Sequence, residues 1–156
     1  MTLRPMTTIA VTLVGLFLAI QIVRPARTNP PVDPTHTIEA RVDVPPAVDA
    51  ILMRACIDCH SNETRWPWYS NLAPVSWLLA SDVNGGRHHM NVSEWNPRAS
   101  HHGDSLFEEI CNQVRAGDMP PWYYRPLHPA AHLSADDVSK ICAWTANSPT
   151  ERRPSP

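Results

Sequence analysis

The chain has 156 residues and a formal net charge of −2, which allows one domain with short flanking segments and argues against nucleic acid as a partner. Four cysteines are too few for the disulfide framework of a small secreted scaffold, but they are enough for one chemical motif and one bridge. Proline is unusually common, at 17 residues, and many of the prolines fall in segments typical of a linker and a tail.

The longest apolar segment lies at the N-terminus. Residues 5–23 carry no charge, and these 19 residues would form a helix of roughly 28 Å, just sufficient for a bilayer core. A cleaved signal peptide is the alternative, but a cleavage site after Ala26 would put Arg24 where a small residue is required. Residues 1–24 are therefore predicted to be an uncleaved signal anchor that forms a single N-terminal transmembrane helix.

Three segments follow the predicted anchor. Residues 25–44 are polar and rich in proline, and they are predicted to form an extended linker between the membrane and the domain. The folded domain is predicted over residues 45–147, and residues 148–156 are predicted to be a flexible tail.

The domain is predicted to be mostly α-helical with long loops. A first helix is predicted over residues 45–55, because two prolines suit a first turn and apolar residues then recur at helical spacing. A second helix is predicted from near Asp104 to Gly117, and a third after the N-cap Ser134. The stretch 75–83 is a candidate for a further short helix.

The sequence CIDCH, from Cys56 to His60, is the attachment signature of c-type haem. Two thiols three residues apart can each form a thioether with one haem vinyl group, and His60 is then placed to bind the iron. A thioredoxin-like redox pair and half of a zinc site are the alternatives. The first lacks a βαβ context, and the second lacks ligands because Cys111 and Cys142 do not form another C-x-x-C motif.

The sixth iron ligand is predicted to be Met119, which lies in the sequence Gly-Asp-Met-Pro-Pro, 59 residues after His60. A methionine in a loop stiffened by prolines can be held against the far face of the haem, where a thioether raises the reduction potential relative to a second histidine. The alternative is a methionine that only fills the core. His89 and Met90 are competing ligands, provided that the glycine pair before them acts as a hinge.

The chain resembles the bacterial haem-binding domain family, a cytochrome c-like group, over roughly residues 20–147. The resemblance is carried by CIDCHSNETRWPWYSNLAPVSWLLASDVNGGRHHMNVSEW and then AGDMPPWYYRPLHPAAHLSADD. It implies a cytochrome c-like helix order and one covalently attached haem c. It also implies attachment at Cys56 and Cys59, with His60 as the proximal ligand and Met119 as the distal ligand.

Several side chains near the motif are candidate contacts of the macrocycle. Trp66, Trp68 and Tyr69 follow the haem histidine within nine residues, and they are expected either to wall the haem or simply to fill the core. Arg65 and Arg87 are candidate partners of the haem propionates, because a guanidinium can bind a carboxylate with two hydrogen bonds.

Cys111 and Cys142 lie on the inward stripes of two predicted helices. In an oxidising compartment such a pair is predicted to form a disulfide, with two buried free thiols as the alternative.

The predicted function is single-electron transfer by a monohaem c-type cytochrome. A haem bound by both His60 and Met119 has no open coordination position, and no set of catalytic acids, bases or nucleophiles surrounds the motif, so the chain is not expected to be an enzyme. One alternative is a haem-based sensor or gas-binding module in which Met119 is absent from the iron or displaced. Another is the haem subunit of a larger oxidoreductase.

The predicted location is the bacterial inner membrane, with a single span and the haem domain in the periplasm, because thioether attachment of haem takes place on that side. The expected partners are membrane or periplasmic redox proteins.

Overall fold

The computed structural model describes residues 5–96 and 106–147. This part of the chain is mostly helical, as predicted, and contains no β-strand. Its α-helices are α1 (Pro5–Ile20), α2 (Ile38–Arg41), α3 (Pro46–Ala55), α4 (Ile57–His60), α5 (Val75–His89), α6 (Leu106–Ala116) and α7 (Ala135–Asn147). Short 3₁₀ turns occur at Trp68–Asn71, Val92–Glu94, Arg125–Leu127 and Pro129–Ala131.

The N-terminal segment does not form the predicted transmembrane helix. Helix α1 has 16 residues, which extend about 24 Å and fall short of the roughly 30 Å of a hydrocarbon core. Beyond it, Gln21 exchanges two hydrogen bonds with the backbone of Ala73, of 3.1 and 2.9 Å, and so ties the chain to the domain. Within residues 5–96 and 106–147, no helix has the length and apolar character of a membrane span. The predictions of a transmembrane helix and of a single-pass inner-membrane location are therefore wrong.

The segment 25–44 lies along the domain, which differs from the expected free spacer. Arg27 donates hydrogen bonds to the backbone oxygen of Ser70 and to the side-chain oxygen of Asn71, at 3.1 and 2.7 Å. Ile38, on α2, is only 1% exposed and forms part of the main hydrophobic core. Burial of Ile38 removes apolar surface from water, so this segment contributes to the stability of the fold.

The core is formed mainly by α3, α6 and α7, the three helices that the sequence pattern predicts. The aromatic ring of Phe107 lies between Trp95 and Trp144, with ring centroids 5.5 Å away in each case. The start of α6 near Asp104 lies outside the described residues, as does the tail 148–156. The buried side chains of the main cluster are Ile38, Val48, Leu52, Trp95, Leu106, Phe107 and Trp144.

Cys111 on α6 and Cys142 on α7 have their sulfur atoms 2.04 Å apart, at the distance of a disulfide. The predicted pairing is therefore present in the fold, where it joins two helices that also share apolar contacts through Val114 and Ile141. Helix α5 is longer than the predicted stretch 75–83, because it continues through the glycine pair to His89. The glycine pair therefore lies within a helix and not in the hinged loop on which the competing ligands His89 and Met90 depended.

Candidate functional site

A cavity of about 410 Å³ lies beside the CIDCH sequence, a volume within the range of cofactor sites. Cys56, Cys59, His60 and Met119 all line it, so the fold brings together residues that are up to 63 positions apart in the sequence. Helices α3, α6 and α7 contribute aliphatic side chains to its wall. These are Leu52, Ala55, Leu106, Ile110, Val114 and Ile141.

The two thiols are positioned by the junction of α3 and α4. The backbone N–H of Cys56 donates to Leu52 at the end of α3, and the N–H groups of Cys59 and His60 both donate to the Cys56 oxygen, at 3.1 and 2.9 Å. Burial raises the pKa of each thiol to about 12. For Cys59 the nearby carboxylates of Asp82 and Asp58 act in the same direction. Both cysteines are therefore protonated free thiols at neutral pH.

The imidazole of His60 is oriented by the backbone of Met90. Its Nδ1 lies 3.1 Å from the Met90 carbonyl oxygen, which can only accept, so Nδ1 carries the proton. Burial lowers the pKa of His60 and keeps the ring neutral. The other ring nitrogen, Nε2, is then unprotonated and able to bind a metal ion.

Met119 lies in a loop that is anchored to the end of α6. Gly117 has a φ of 79°, the left-handed conformation that glycine adopts most easily, and it reverses the chain just after Ala116. The backbone N–H groups of Asp118 and Met119 both donate to the Gln113 oxygen, at 3.1 and 3.3 Å. These contacts hold Met119 at the cavity, where its side chain stays 39% exposed.

The competing ligands His89 and Met90 also line the cavity. The carbonyl of Met90 contacts His60, and the side chain of Met90 packs against the main core cluster. Met90 therefore helps to orient the His60 ring. His89 is the last residue of α5, and its side chain is largely exposed.

The predicted propionate partners do not line the cavity. Arg65 donates to the Asp58 carboxylate, with Nε 3.0 Å from Oδ1. Arg87 donates to the backbone oxygens of Ser61 and Thr28, at 2.7 and 2.9 Å. Both guanidinium groups therefore hold parts of the chain together, and the prediction of a propionate role is not supported.

The predicted aromatic wall is also placed differently. Trp66, Trp68 and Tyr69 are not among the lining residues, and the Trp68 side chain is 75% exposed in a 3₁₀ turn. Tyr123 and Tyr124 line the cavity in their place. Sequence reasoning missed both, although only Trp122 separates them from the Met-Pro-Pro sequence.

Each of these tyrosines donates a hydrogen bond to a carboxylate that also lines the cavity. The hydroxyl of Tyr123 lies 3.2 Å from both carboxylate oxygens of Asp82 on α5, and the hydroxyl of Tyr124 lies 3.0 Å from Asp58 Oδ2. Burial, together with the neighbouring Asp58, raises the pKa of Tyr124 far above its ordinary value. Both hydroxyls thus remain protonated donors at neutral pH.

The donor set fits a haem and disfavours the alternatives. Two thiols, an imidazole with a free Nε2 and a thioether surround a largely apolar cavity, and this donor set fits a haem. Among the described residues, no group of three or more His, Cys, Asp or Glu side chains is arranged to hold a metal ion, which argues against a zinc site.

Comparison with known proteins agrees with this chemistry. The model of the family described as haem-binding domain matches residues 15–147, which is most of the chain. No curated protein and no solved structure matches the chain. The chain therefore belongs to the haem-binding domain family, and haem is its cofactor.

Proposed function

We propose that this domain is a monohaem c-type cytochrome that transfers single electrons. The observation that carries the proposal is that Cys56, Cys59, His60 and Met119 line one cavity. A bound haem supplies an iron centre that gains and loses one electron.

Cys56 and Cys59 would attach the haem covalently. Each thiol would form one thioether bond with a haem vinyl group, with the sulfur on one vinyl carbon and the thiol hydrogen on the other, so no net oxidant would be needed. Cys56 lies at the junction of α3 and α4 and Cys59 lies within α4, so the two thiols that would hold the haem are only three residues apart.

His60 and Met119 would be the two axial ligands. The contact of His60 Nδ1 with the Met90 carbonyl fixes the ring orientation and leaves Nε2 for the iron. An iron bound by both His60 and Met119 would have no open position for a substrate, so the proposed role is that of an electron carrier and not of an enzyme. The proposed partners are other redox proteins. The Cys111–Cys142 pair favours a compartment that permits disulfides.

The test is whether the haem is covalently bound through both cysteines. The purified protein should have the mass of its chain plus one haem, and acidified acetone should fail to extract the pigment. In the variant Cys56→Ala/Cys59→Ala the haem should become extractable. Free extraction of haem from the unaltered protein would disprove the proposal of a c-type cytochrome.

A gas-binding module is a second candidate, because Met119 lies in the loop after α6 and not on a helix of the core. A thioether supplied by a loop would be able to leave the iron and admit a small ligand. Tight binding of carbon monoxide to the ferrous form of the unaltered protein would support this second candidate and would argue against a simple electron carrier.

A further inference from the structure

We propose that the hydrogen bond between Tyr124 and Asp58 positions the Met119 loop (residues 117–124) against the cavity. Tyr124 and Asp58 would then be positioning residues that control how firmly Met119 is held. This inference rests on the proposed role of Met119 as an axial ligand. It adds a connection between the CIDCH motif and the opposite side of the site.

Asp58 lies inside the motif, between the two cysteines, and its carboxylate is held in one orientation. Its side chain is 18% exposed. Arg65 donates to it from Nε at 3.0 Å, from its second guanidinium nitrogen at 3.4 Å and from its backbone N–H at 3.3 Å. A carboxylate with fixed geometry is a strong hydrogen-bond acceptor, so Asp58 presents a well-defined contact point to the Met119 loop.

Tyr124 completes the connection from the side of the loop. Its hydroxyl donates to Asp58 Oδ2 at 3.0 Å. Its ring stacks on His128, with centroids 3.9 Å apart and an interplanar angle of 8°. A ring nitrogen of His128 in turn shares a hydrogen bond with the hydroxyl of Tyr69. Stacking and hydrogen bonding together leave the Tyr124 side chain little freedom to leave Asp58.

Met119 lies close to Tyr124 along the chain, so a fixed position of Tyr124 also limits the movement of Met119. Only four residues separate Met119 from Tyr124, and two of them are the prolines 120 and 121, whose φ angles are fixed by their rings. The backbone N–H of Tyr124 also donates to the Pro121 oxygen at 3.0 Å, which closes the turn. Movement of Met119 away from the cavity is therefore opposed by the contact at Asp58.

A neighbouring tyrosine provides a matched control. Tyr123 also donates a phenolic hydrogen bond to a carboxylate, but its acceptor Asp82 lies on α5 and not in the motif. Tyr124→Phe and Tyr123→Phe each remove one hydroxyl and keep the ring. A difference between them would therefore report on the connection to Asp58 and not on the loss of a phenol in general.

The first measurement is hydrogen exchange of the backbone N–H of Met119 in the haem-loaded protein. This amide donates to the Gln113 oxygen, so it exchanges only when the loop opens. Tyr124→Phe should accelerate its exchange by about ten-fold or more, as expected for loss of a hydrogen bond to a charged acceptor. Tyr123→Phe should change it by less than about two-fold, because the hydrogen bonds of Tyr123 to Asp82 are longer, at 3.2 Å, and exposed to solvent. Tyr124→Phe should add little when Asp58→Asn is already present. Equal exchange of the Met119 amide in Tyr124→Phe and the unaltered protein would overturn the inference.

The second measurement separates this inference from the proposed function. If Met119 binds the iron, carbon monoxide should bind the ferrous Tyr124→Phe protein several-fold more tightly than the unaltered protein. If the iron of the unaltered protein already binds carbon monoxide freely, Met119 is not an iron ligand. That result would also overturn the claim that Tyr124 and Asp58 control how firmly the iron holds Met119. Faster exchange in Tyr124→Phe without any change in carbon monoxide affinity would show that the Tyr124–Asp58 hydrogen bond does not affect the binding of Met119 to the iron, and would overturn that part of the inference.

Discussion

Gly86 on α5 lies directly against the backbone of Cys59. A Cβ atom at residue 86 would lie 2.6 Å from the carbonyl oxygen of Cys59 and 3.0 Å from its carbonyl carbon. Both distances are shorter than van der Waals contact, and backbone atoms cannot move aside as a flexible side chain can. The absence of a side chain at residue 86 therefore sets how closely α5 approaches the motif.

Gly86→Ala should separate α5 from the motif and lower stability by about 1–3 kcal/mol, the usual cost of overpacking. The displacement should also reduce the fraction of protein with covalent haem, because Cys59 moves with its carbonyl. Thermal unfolding and the ratio of haem to protein absorbance measure the two effects. Gly85→Ala is the control for the thermal measurement, since a Cβ there meets no atom within 4 Å outside its own helix. Equal thermal midpoints for Gly86→Ala and the unaltered protein would contradict this account.

Met119→Ala should open the iron to exogenous ligands and lower the reduction potential, because a thioether favours ferrous iron. The ferrous variant should bind carbon monoxide where the unaltered protein binds it poorly, and Met119→His should restore six-coordination at a lower potential. Met53→Ala serves as the control for loss of an exposed methionine away from the cavity. The prediction would be contradicted if Met119→Ala left the absorption spectrum of the haem unchanged while His89→Ala or Met90→Ala altered it.

The Cys111–Cys142 pair should stabilise the domain by roughly 3–4 kcal/mol, since it closes a loop with a sequence separation of 31 residues. Cys111→Ala/Cys142→Ala should lose about that amount in denaturant unfolding while it retains its haem. Peptide mapping without reductant should find the two cysteines linked. Two thiols that react with an alkylating reagent in the unfolded, unreduced protein would refute the bridge.

Asp137 should make folding stability depend on pH in the acid range. Its carboxylate accepts from the backbone and side chain of Ser134 at the start of α7, and it lies 2.7 Å from the Arg54 guanidinium. These contacts lower the pKa of Asp137 from 3.8 to about 2. Because the pKa is lower in the folded state, the stabilisation is complete above about pH 4 and is lost as the pH falls toward about 2.

Asp137→Asn should therefore be less stable than the unaltered protein at neutral pH, and the difference should shrink between about pH 4 and pH 2. Thermal unfolding across this pH range measures the difference directly. Asp136→Asn is the control, because Asp136 is exposed and pairs with Lys140 one turn further along α7. A constant difference between Asp137→Asn and the unaltered protein over this range would contradict the assignment.

The sequence by itself determined the helical class, the three core helices and the cysteines and histidine of the motif. These features depend on short spacings: the 3.6-residue period of α3, α6 and α7, and the five adjacent residues from Cys56 to His60. The pairing of Cys111 with Cys142 followed from their inward positions on two of those helices. Local patterns of this kind are visible in the chain before it folds.

Only the tertiary structure decided which polar groups meet. It placed the Met90 carbonyl on His60, Arg87 on the backbone of Ser61, and Tyr124 on Asp58, each across more than 25 residues of chain. It also ended α1 before membrane-spanning length and buried Ile38 within a segment that the proline content marked as a linker. Hydrogen bonds between distant residues leave no periodic signature in the sequence, because their partners are selected by how the helices pack.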